Sequence, residues 1–346
     1  MRYFDEKLIA NSRPHKKWWD EVCVNRAWFH KSEENMAAVS NAAAVLPRDA
    51  WLEMDSITRR VMRSDEGQVY MADLMALAKP VNIGKLVHMT RVSGDAGSVT
   101  RSMSGQVPST MDKVDYDYRG TPVPIFATSY GREWREWNTL QSENFDALSD
   151  DQESHTAKIR RDMALYALDG DPDIKFQGYA AHGLRTHPLS KSINIGAAGA
   201  NIDLADPATT SDDIDAFVTQ TLGAMLDDNF ITGAVNLYVS PEIGRNWDRS
   251  YSGSAGFKGG TLMQYLKTNR RINDIKVTYE LKGNEFFGFV PSGEYIRPLV
   301  GMAVNTTAKT RMNPTDNYQF LIMGAMGLEV RADYNGRTGV FYSVAT

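Results

Sequence analysis

A polar segment in the first third of the chain limits the folds that this sequence can adopt. The stretch "LVHMTRVSGDAGSVTRSMSGQVPS", residues 86–109, has two strand-like runs around residues 94–97 and predicts a β-hairpin. Its second run has only Val99 and Met103 as sizeable apolar side chains. A two-stranded hairpin alone is marginal in water, and this one has little to bury against its own subunit. We therefore predict an extended arm that is stabilised by lying across another copy of the chain.

Composition narrows the class of protein. The chain has 346 residues, enough for about two domains. Its formal net charge of -5 argues against a protein that mainly clamps nucleic acid. Cys23 is the only cysteine, so no intramolecular disulfide can form. We interpret it as a small buried thiol, with a reactive nucleophile as the alternative. The N-terminus lacks the apolar core of a signal peptide and no apolar run is long enough to span a bilayer, so we expect no membrane association.

Two segments have clear helical signals. Residues 149–170 begin with a capping box, Ser149 with Gln152, and end at Gly170, which suits a helix C-cap. The first half of this segment is polar on all sides and the second half is apolar, so we expect it to leave a core and continue along a surface. A second helix is predicted from Ser211. Its apolar stripe comprises Ile214, Phe217, Val218, Thr221, Leu222 and Met225.

An alternating segment follows the predicted hairpin. In "DKVDYDYRGTPVPIFATSYG", Val114, Tyr116 and Tyr118 alternate with aspartates, a pattern that predicts a half-buried strand. Pro122 and Pro124 exclude a central strand for the next part, because proline donates no hydrogen bond to a sheet. This part is therefore predicted to lie at a sheet edge or a bulge.

Strand patterns dominate the second half of the chain. "AVNLYV" predicts a buried strand, and the "SPE" after it supplies an N-cap and a first-turn proline for another helix. Successive strands are predicted in "INDIKVTYEL", "EFFGFVPS" and "YIRPLVGMAV", before a final strand pair with a turn at residues 335–336. Together with the helices, these strands indicate an α+β fold.

No motif for catalysis or metal binding is evident. The sequence contains no GxxxxGK[ST], HExxH, CxxC or GxSxG run. His182 and His187 share one loop, but a metal there would lack a nearby carboxylate or thiol ligand. Asp169, Asp171 and Asp173 have the spacing of a calcium loop without its glycine and late glutamate. We predict no metal, no cofactor and no catalytic residue.

The tryptophans permit two further interpretations. An enzyme with a cofactor near Trp134, Trp137 and His182 is one alternative, because paired indoles can stack on a flavin or a base. In the N-terminal region, tryptophans alternate with arginine and lysine, a composition that can bind single-stranded nucleic acid. Acidic residues dilute that charge, so we favour an arm whose tryptophans anchor on another surface.

The order of these elements resembles one protein family. The arm, the hairpin, "YDYRGTPVPIFATSYGREW", the long helix, a mixed domain and the ending "GAMGLEVRADYNGRTGVFYSV" follow one another as in the major capsid proteins of tailed bacteriophages. Encapsulin shells share that fold. The resemblance covers nearly the whole chain. It implies an N-terminal arm, an extended β-hairpin loop, a peripheral domain with a long spine helix, and an axial domain. These parts would be residues 1–80, 81–120, 121–205 with 316–346, and 206–315.

The resemblance also implies a function. It implies a non-enzymatic subunit that self-assembles into an icosahedral virion capsid around double-stranded DNA, made in the cytoplasm of a host bacterium. The implied partners are copies of the chain in hexamers and pentamers, a separate scaffolding protein, a portal protein and, as a further partner, a decoration protein. Packaged DNA would be contacted non-specifically. Residues 93–106 contain no lysine, so we expect non-covalent joins between subunits. An encapsulin-like nanocompartment shell is the alternative.

We place the contacts between subunits on the arm, on the hairpin and in the glycine-rich loop "YSGSAGFKGG". The predicted contact residues are Arg91, Asp95, Arg101, Met103, Trp18, Trp19, Trp28 and Lys258.

Overall fold

The structure is a computed structural model that describes residues 67–95, 97, 99, 101, 103–104, 113–136, 147–253, 259–313 and 315–345. These residues belong to one unit of the chain, Met62–Thr346. The predicted contact residues Trp18, Trp19, Trp28 and Lys258 lie outside the described residues, as does most of the predicted N-terminal arm.

The described chain contains both helices and strands, with several strands in succession after each of the first two helices and at the end. The helices are α1 (Gln68–Met75), α2 (Ala147–Asp169), α3 (Ser211–Ala216), α4 (Gly223–Asp228), α5 (Pro241–Trp247) and α6 (Leu262–Leu266), and a π-helical segment, Phe217–Leu222, joins α3 to α4. The strands are β1 (Lys79–Pro80), β2 (Val87–Ser93), β3 (Tyr116–Pro122), β4 (Ile125–Arg132), β5 (Gly170–Phe176), β6 (Tyr179–His182), β7 (Lys191–Asn194), β8 (Val235–Val239), β9 (Ile272–Val277), β10 (Phe286–Phe289), β11 (Ile296–Ala308), β12 (Tyr318–Val330) and β13 (Val340–Val344). This mixture confirms the predicted α+β class. No helix in the described ranges is long and apolar enough to cross a membrane.

Two larger sheets organise these elements. One has four strands in the order β1-β11-β12-β4, and the other has five in the order β7-β13-β10-β8-β9. The predicted domain boundary between residues 315 and 316 separates β11 from β12, which are antiparallel hydrogen-bonded neighbours. The last strand, β13, joins the five-stranded sheet between β7 and β10. The sheets therefore depart from the predicted ranges, and the division into peripheral and axial domains stays a prediction.

The long helix α2 packs against the four-stranded sheet. It begins at Ala147, two residues before the predicted start, and ends where Gly170 takes a left-handed conformation, with φ of 69°. Its second half is buried, as the apolar pattern predicts, and the side chains of Ile159, Met163 and Tyr166 are each less than a tenth exposed. The ring of Tyr166 meets that of Phe126 on β4 edge to face. Apolar packing thus fixes the C-terminal half of the helix, while its N-terminal half stays near solvent.

The five-stranded sheet has its own apolar core. All residues of β8 are buried, and the helical segments from Ser211 to Asp228 pack nearby through the predicted stripe. Ser240 caps α5 by accepting a hydrogen bond from the backbone N–H of Ile243, with Pro241 in the first turn, as predicted. The indole of Trp247 at the end of α5 is buried in the same core.

The predicted hairpin is wrong in its second strand. β2 pairs antiparallel with β3, from Val87 opposite Pro122 to Ser93 opposite Tyr116, and residues 99, 101, 103 and 104, the described part of the predicted second run, are not in a strand. β3 contains tyrosine and threonine, which favour extended backbone, whereas residues 98–106 are mostly serine, glycine and other small or polar residues. The two-stranded arm therefore exists, but residues 94–115 form the connection between its strands.

Two glycines allow a comparison of backbone strain with steric crowding. A Cβ on Gly170 would lie 2.3 Å from the backbone nitrogen of Gly183, whereas a Cβ on Gly336, with a similar φ of 75°, would meet nothing within 4 Å. We expect Gly336→Ala to lower the free energy of unfolding by about 1 kcal/mol, the cost of a left-handed alanine. Gly170→Ala should cost at least about 2 kcal/mol more, because the backbone must also move. Urea unfolding of both variants measures this difference, and equal losses would contradict the crowding at Gly170.

Candidate functional site

The antiparallel pair β2–β3, called the ribbon from here on, presents two different faces. Register places Met89 opposite Gly120, Arg91 opposite Tyr118 and Ser93 opposite Tyr116, so these side chains share one face. Thr90 lies opposite Arg119 on the other face. Because side chains alternate along a strand, each face has its own chemistry.

The first face, called the outer face, is exposed at Met89, Tyr116 and Tyr118, whereas the Tyr179 ring of β6 covers it at Gly120. Met89 is 47% exposed, Tyr116 53% and Tyr118 58%. The guanidinium of Arg91 lies over the Tyr116 ring, 4.7 Å from its centroid. The alternation of Tyr116 and Tyr118 with aspartates predicts a half-buried strand, but both tyrosines are exposed. Aromatic and methionine side chains gathered on an exposed surface are typical of a protein–protein contact.

The second face joins the ribbon to the body of the subunit through hydrogen bonds. The Thr90 hydroxyl donates to the carboxylate of Glu329 on β12. The Arg119 guanidinium donates to the backbone carbonyl of Ala332 at 3.1 Å and to that of Asp333 at 3.4 Å. The polar face of the ribbon is thus turned inward and its apolar face outward, the reverse of the arrangement in a strand that packs on its own core.

Glu329 is the centre of this attachment. Its side chain is 3% exposed, and the Arg297 Nε on β11 donates to it at 2.6 Å. The Nε of Arg331 lies 3.9 Å from the other carboxylate oxygen. Burial opposes ionisation, but hydrogen bonds from Arg297 and Thr90 outweigh it and lower the pKa of Glu329 below its usual value. The carboxylate is therefore charged at neutral pH, paired with arginine and hydrogen bonded to the ribbon.

Histidines beside this attachment are held neutral. Burial, together with the charges of Lys79, Arg297 and Lys85, lowers the pKa of His88 on β2, although the Glu329 carboxylate opposes the shift. For His187, burial and the neighbouring His182 lower the pKa to about 4. The rings of His182 and His187 meet edge to face, 5.6 Å between centroids. Among the described residues, no group of three or more histidine, cysteine or acidic side chains is arranged to hold a metal ion.

The predicted contact residues within the described ranges all lie on the ribbon or its connection. Arg91 is on the outer face, and Asp95, Arg101 and Met103 are exposed along the connection. Their role in subunit contacts stays a prediction. Sequence reasoning missed Tyr116 and Tyr118 because it assigned their alternation to a core. It also missed Glu329, although a lone acid inside the apolar run "GAMGLEV" was a signal for a buried ion pair.

Comparison with known proteins places the chain in a family. A family model described as a family of unknown function, DUF6260, matches residues 41–343, most of the chain. The chain belongs to this family. Comparison with curated proteins gives no match. Membership in DUF6260 by itself assigns no activity to the chain.

Solved structures share the fold of this DUF6260 chain. The capsid of Myoviridae phage XM1 aligns with a TM-score of 0.63 and 13% identity over 88% of this chain and 100% of that one. The capsid of the native GTA particle aligns with a TM-score of 0.58 and 13% identity over 90% and 98%. A structure from Microbacterium phage Oxtober96 gives 0.56 and 13% over 85% and 95%. The chain therefore has the phage capsid fold that the sequence predicted.

The hydrogen bond between Thr90 and Glu329 is expected to hold the ribbon against the subunit. Glu329→Gln should lower the free energy of unfolding by about 3 kcal/mol, because it leaves a largely buried arginine without its counter-charge. Thr90→Val should lower it by about 1.5 to 3 kcal/mol, the range for a hydrogen bond to a charged group. Both variants should increase hydrogen exchange of the β2–β3 amides relative to those of β8.

Thr306→Val on β11 is the control, because the Thr306 hydroxyl accepts a hydrogen bond from Gln152 in an exposed position. It should change stability by less than about 0.5 kcal/mol. Unchanged ribbon exchange in Thr90→Val would contradict an attachment through Glu329.

His187 is expected to make stability depend on pH. Its folded-state pKa of about 4 lies below the usual 6.5, so the folded form resists protonation that the unfolded form accepts. The contribution of neutral His187 to the free energy of unfolding is complete above pH 6.5. It is lost as the pH falls towards 4, and the loss is on the order of 2 to 3 kcal/mol. His187→Asn keeps an acceptor for the Leu189 N–H and should flatten the stability curve in that window. Urea midpoints from pH 7 to pH 4 measure the effect; parallel curves for both proteins would refute it.

Proposed function

We propose that this chain is the major capsid protein of a tailed bacteriophage, a structural subunit that self-assembles into an icosahedral shell around double-stranded DNA. The observation that carries the proposal is the ribbon, which turns its apolar face away from its own subunit on a fold shared with phage capsids. An exposed face of this kind is favourable only when another molecule removes it from water. In a shell, that molecule is a second copy of the chain.

Weak contacts suffice for such an assembly. A ribbon contact of a few side chains is modest alone, but each subunit in a closed lattice makes several, and their free energies combine through multivalency. Hexamers and pentamers of the chain present the same surfaces in slightly different geometries.

The other partners follow from the same proposal. A separate scaffolding protein would guide assembly, a portal protein would occupy one vertex, and a decoration protein would bind outside. DNA would meet the inner surface non-specifically, through basic residues such as Arg160, which is exposed on α2. A net charge of -5 suits a wall that must enclose DNA without adhering to it strongly.

Electron microscopy and light scattering of the purified full-length chain test the proposal. We expect particles or rings far larger than a dimer, and nucleic acid in particles taken from an infected or induced host. Enzyme cargo without DNA would favour the encapsulin-like alternative. A protein that stays monomeric at all concentrations, with no particles in its host, would reject the shell function.

Replacement of the outer-face tyrosines tests the ribbon directly. The double variant Tyr116→Ser with Tyr118→Ser should reduce particle yield at least about ten-fold, because aromatic side chains dominate contacts between proteins. Its subunit should unfold at the wild-type temperature within about 2 °C, since both side chains are exposed. Tyr279→Ser is the control, because Tyr279 is equally exposed, at 59%, outside the ribbon. Equal particle yields for the wild type and the double variant would contradict a contact through the outer face.

A further inference from the structure

Helix α4 ends in a motif that normally requires glycine. The backbone N–H of Ile231 donates to the carbonyl of Leu226 at 2.9 Å, and that of Phe230 donates to the carbonyl of Asp227 at 2.9 Å. These two bonds define a Schellman C-cap, and the buried side chains of Ile231 and Leu226 make the apolar contact that accompanies it. The residue between them in the motif, Phe230, takes the left-handed conformation, with φ of 54°.

A phenylalanine at this position is unfavourable for the subunit alone. Glycine adopts the left-handed conformation without steric cost, whereas a side chain with a Cβ does not. The Phe230 ring recovers little of that cost by burial, because the residue is 69% exposed. Among the described residues, the other non-glycine residues with positive φ are Gln177 and Asn201, both polar and exposed. Strain that holds an exposed aromatic ring indicates a role outside the fold of the subunit.

The exposed ring is held in a defined position. The guanidinium of Arg337, on the turn between β12 and β13, lies 4.1 Å from the centroid of the Phe230 ring. The backbone N–H of Arg337 donates to the carboxylate of Asp333 at 2.7 Å, which fixes the turn. The N–H of Thr338 donates to the side chain of Asn229, next to Phe230, at 3.4 Å. The ring and its cation are therefore positioned before any partner arrives.

The turn that carries Arg337 also contacts the ribbon. The carbonyl of Asp333 accepts a hydrogen bond from Arg119 on β3, and the Tyr334 ring lies beside Gly94 at the end of β2. Tyr334 is itself 47% exposed. Phe230, Arg337 and Tyr334 are called the turn patch here, and the turn that carries Arg337 and Tyr334 contacts the second face of the ribbon.

We propose that the turn patch is a second contact between copies of this chain, with Phe230 as its anchor. This inference rests on the proposed function, since its occupant is a neighbouring subunit in the shell. The fold shared with phage capsids favours a second copy, because each subunit of a closed shell is surrounded by copies of itself. Phenylalanine, tyrosine and arginine are also the side chains that dominate such contacts. The neighbour would supply an apolar side chain for the Phe230 ring, because Arg337 already has the Asp333 carboxylate as its ion-pair partner.

Substitutions at Phe230 distinguish an effect on assembly from an effect on folding. Phe230→Gly removes both the ring and the strain, so the isolated subunit should melt about 1 to 4 °C higher, while particle yield falls about ten-fold or more. Phe230→Ala removes the ring but keeps a Cβ, so it should lose assembly without the rise in Tm. Phe230→Tyr keeps an aromatic ring and should assemble. Thermal unfolding of subunits and light scattering of particles measure the two effects.

Gln177→Gly is the matched control, because it relieves a left-handed residue in the exposed turn between β5 and β6. It should raise Tm in the same way and leave particle yield unchanged. If the wild type forms particles and both Phe230→Gly and Phe230→Ala assemble normally, Phe230 does not anchor a contact between copies. The proposed shell function would be unaffected by that result. A lower Tm for Phe230→Gly would also overturn the anchor, because the ring would then stabilise its own subunit. A wild type that forms no particles would overturn the shell function and the anchor together.

Discussion

The ion pair between Glu329 and Arg297 determines where the ribbon can lie. The two residues are directly opposite each other on β12 and β11, so the sheet itself brings the charges together. A carboxylate with a 3% exposed side chain is tolerated only when it is paired and its remaining lone pairs are hydrogen bonded. Thr90 supplies one of those hydrogen bonds. Because hydrogen bonds are directional and apolar contacts are not, this bond sets the orientation of the ribbon as well as its position.

The apolar side chains of the described residues fall into two groups, one buried in the cores and one exposed. Those of α2, β8 and the helices from Ser211 onward close two cores, and these cores account for the folding of the subunit. Those of the outer face, together with Phe230, stay exposed, where they add little to folding. Their exposure and the strain at Phe230 are costs for the subunit that assembly can repay.

The sequence predicted most of what periodicity and capping determine. Gly170 ends the long helix, Ser240 and Pro241 start α5, and β8 is buried, because each of these signals acts within a few residues. The pairing of β2 was harder to predict, because its partner strand lies more than 20 residues further along the chain. The connection between β2 and β3 is polar and gave a false turn at residues 94–97. Tyr116 and Tyr118 alternate as in any half-buried strand, and alternation cannot tell which face turns inward.

The sites on the proposed assembly surface also depend on one short turn. Residues 333–338 connect β12 to β13, contact the ribbon through Asp333 and hold the Phe230 ring through Arg337. The outer face and the turn patch are therefore positioned relative to each other by hydrogen bonds inside the subunit. A neighbour that meets either surface does not have to order it, so less conformational entropy is lost on association. Such preorganisation lets small, non-covalent contacts hold a neighbouring subunit, because little of their free energy is offset by ordering the two surfaces.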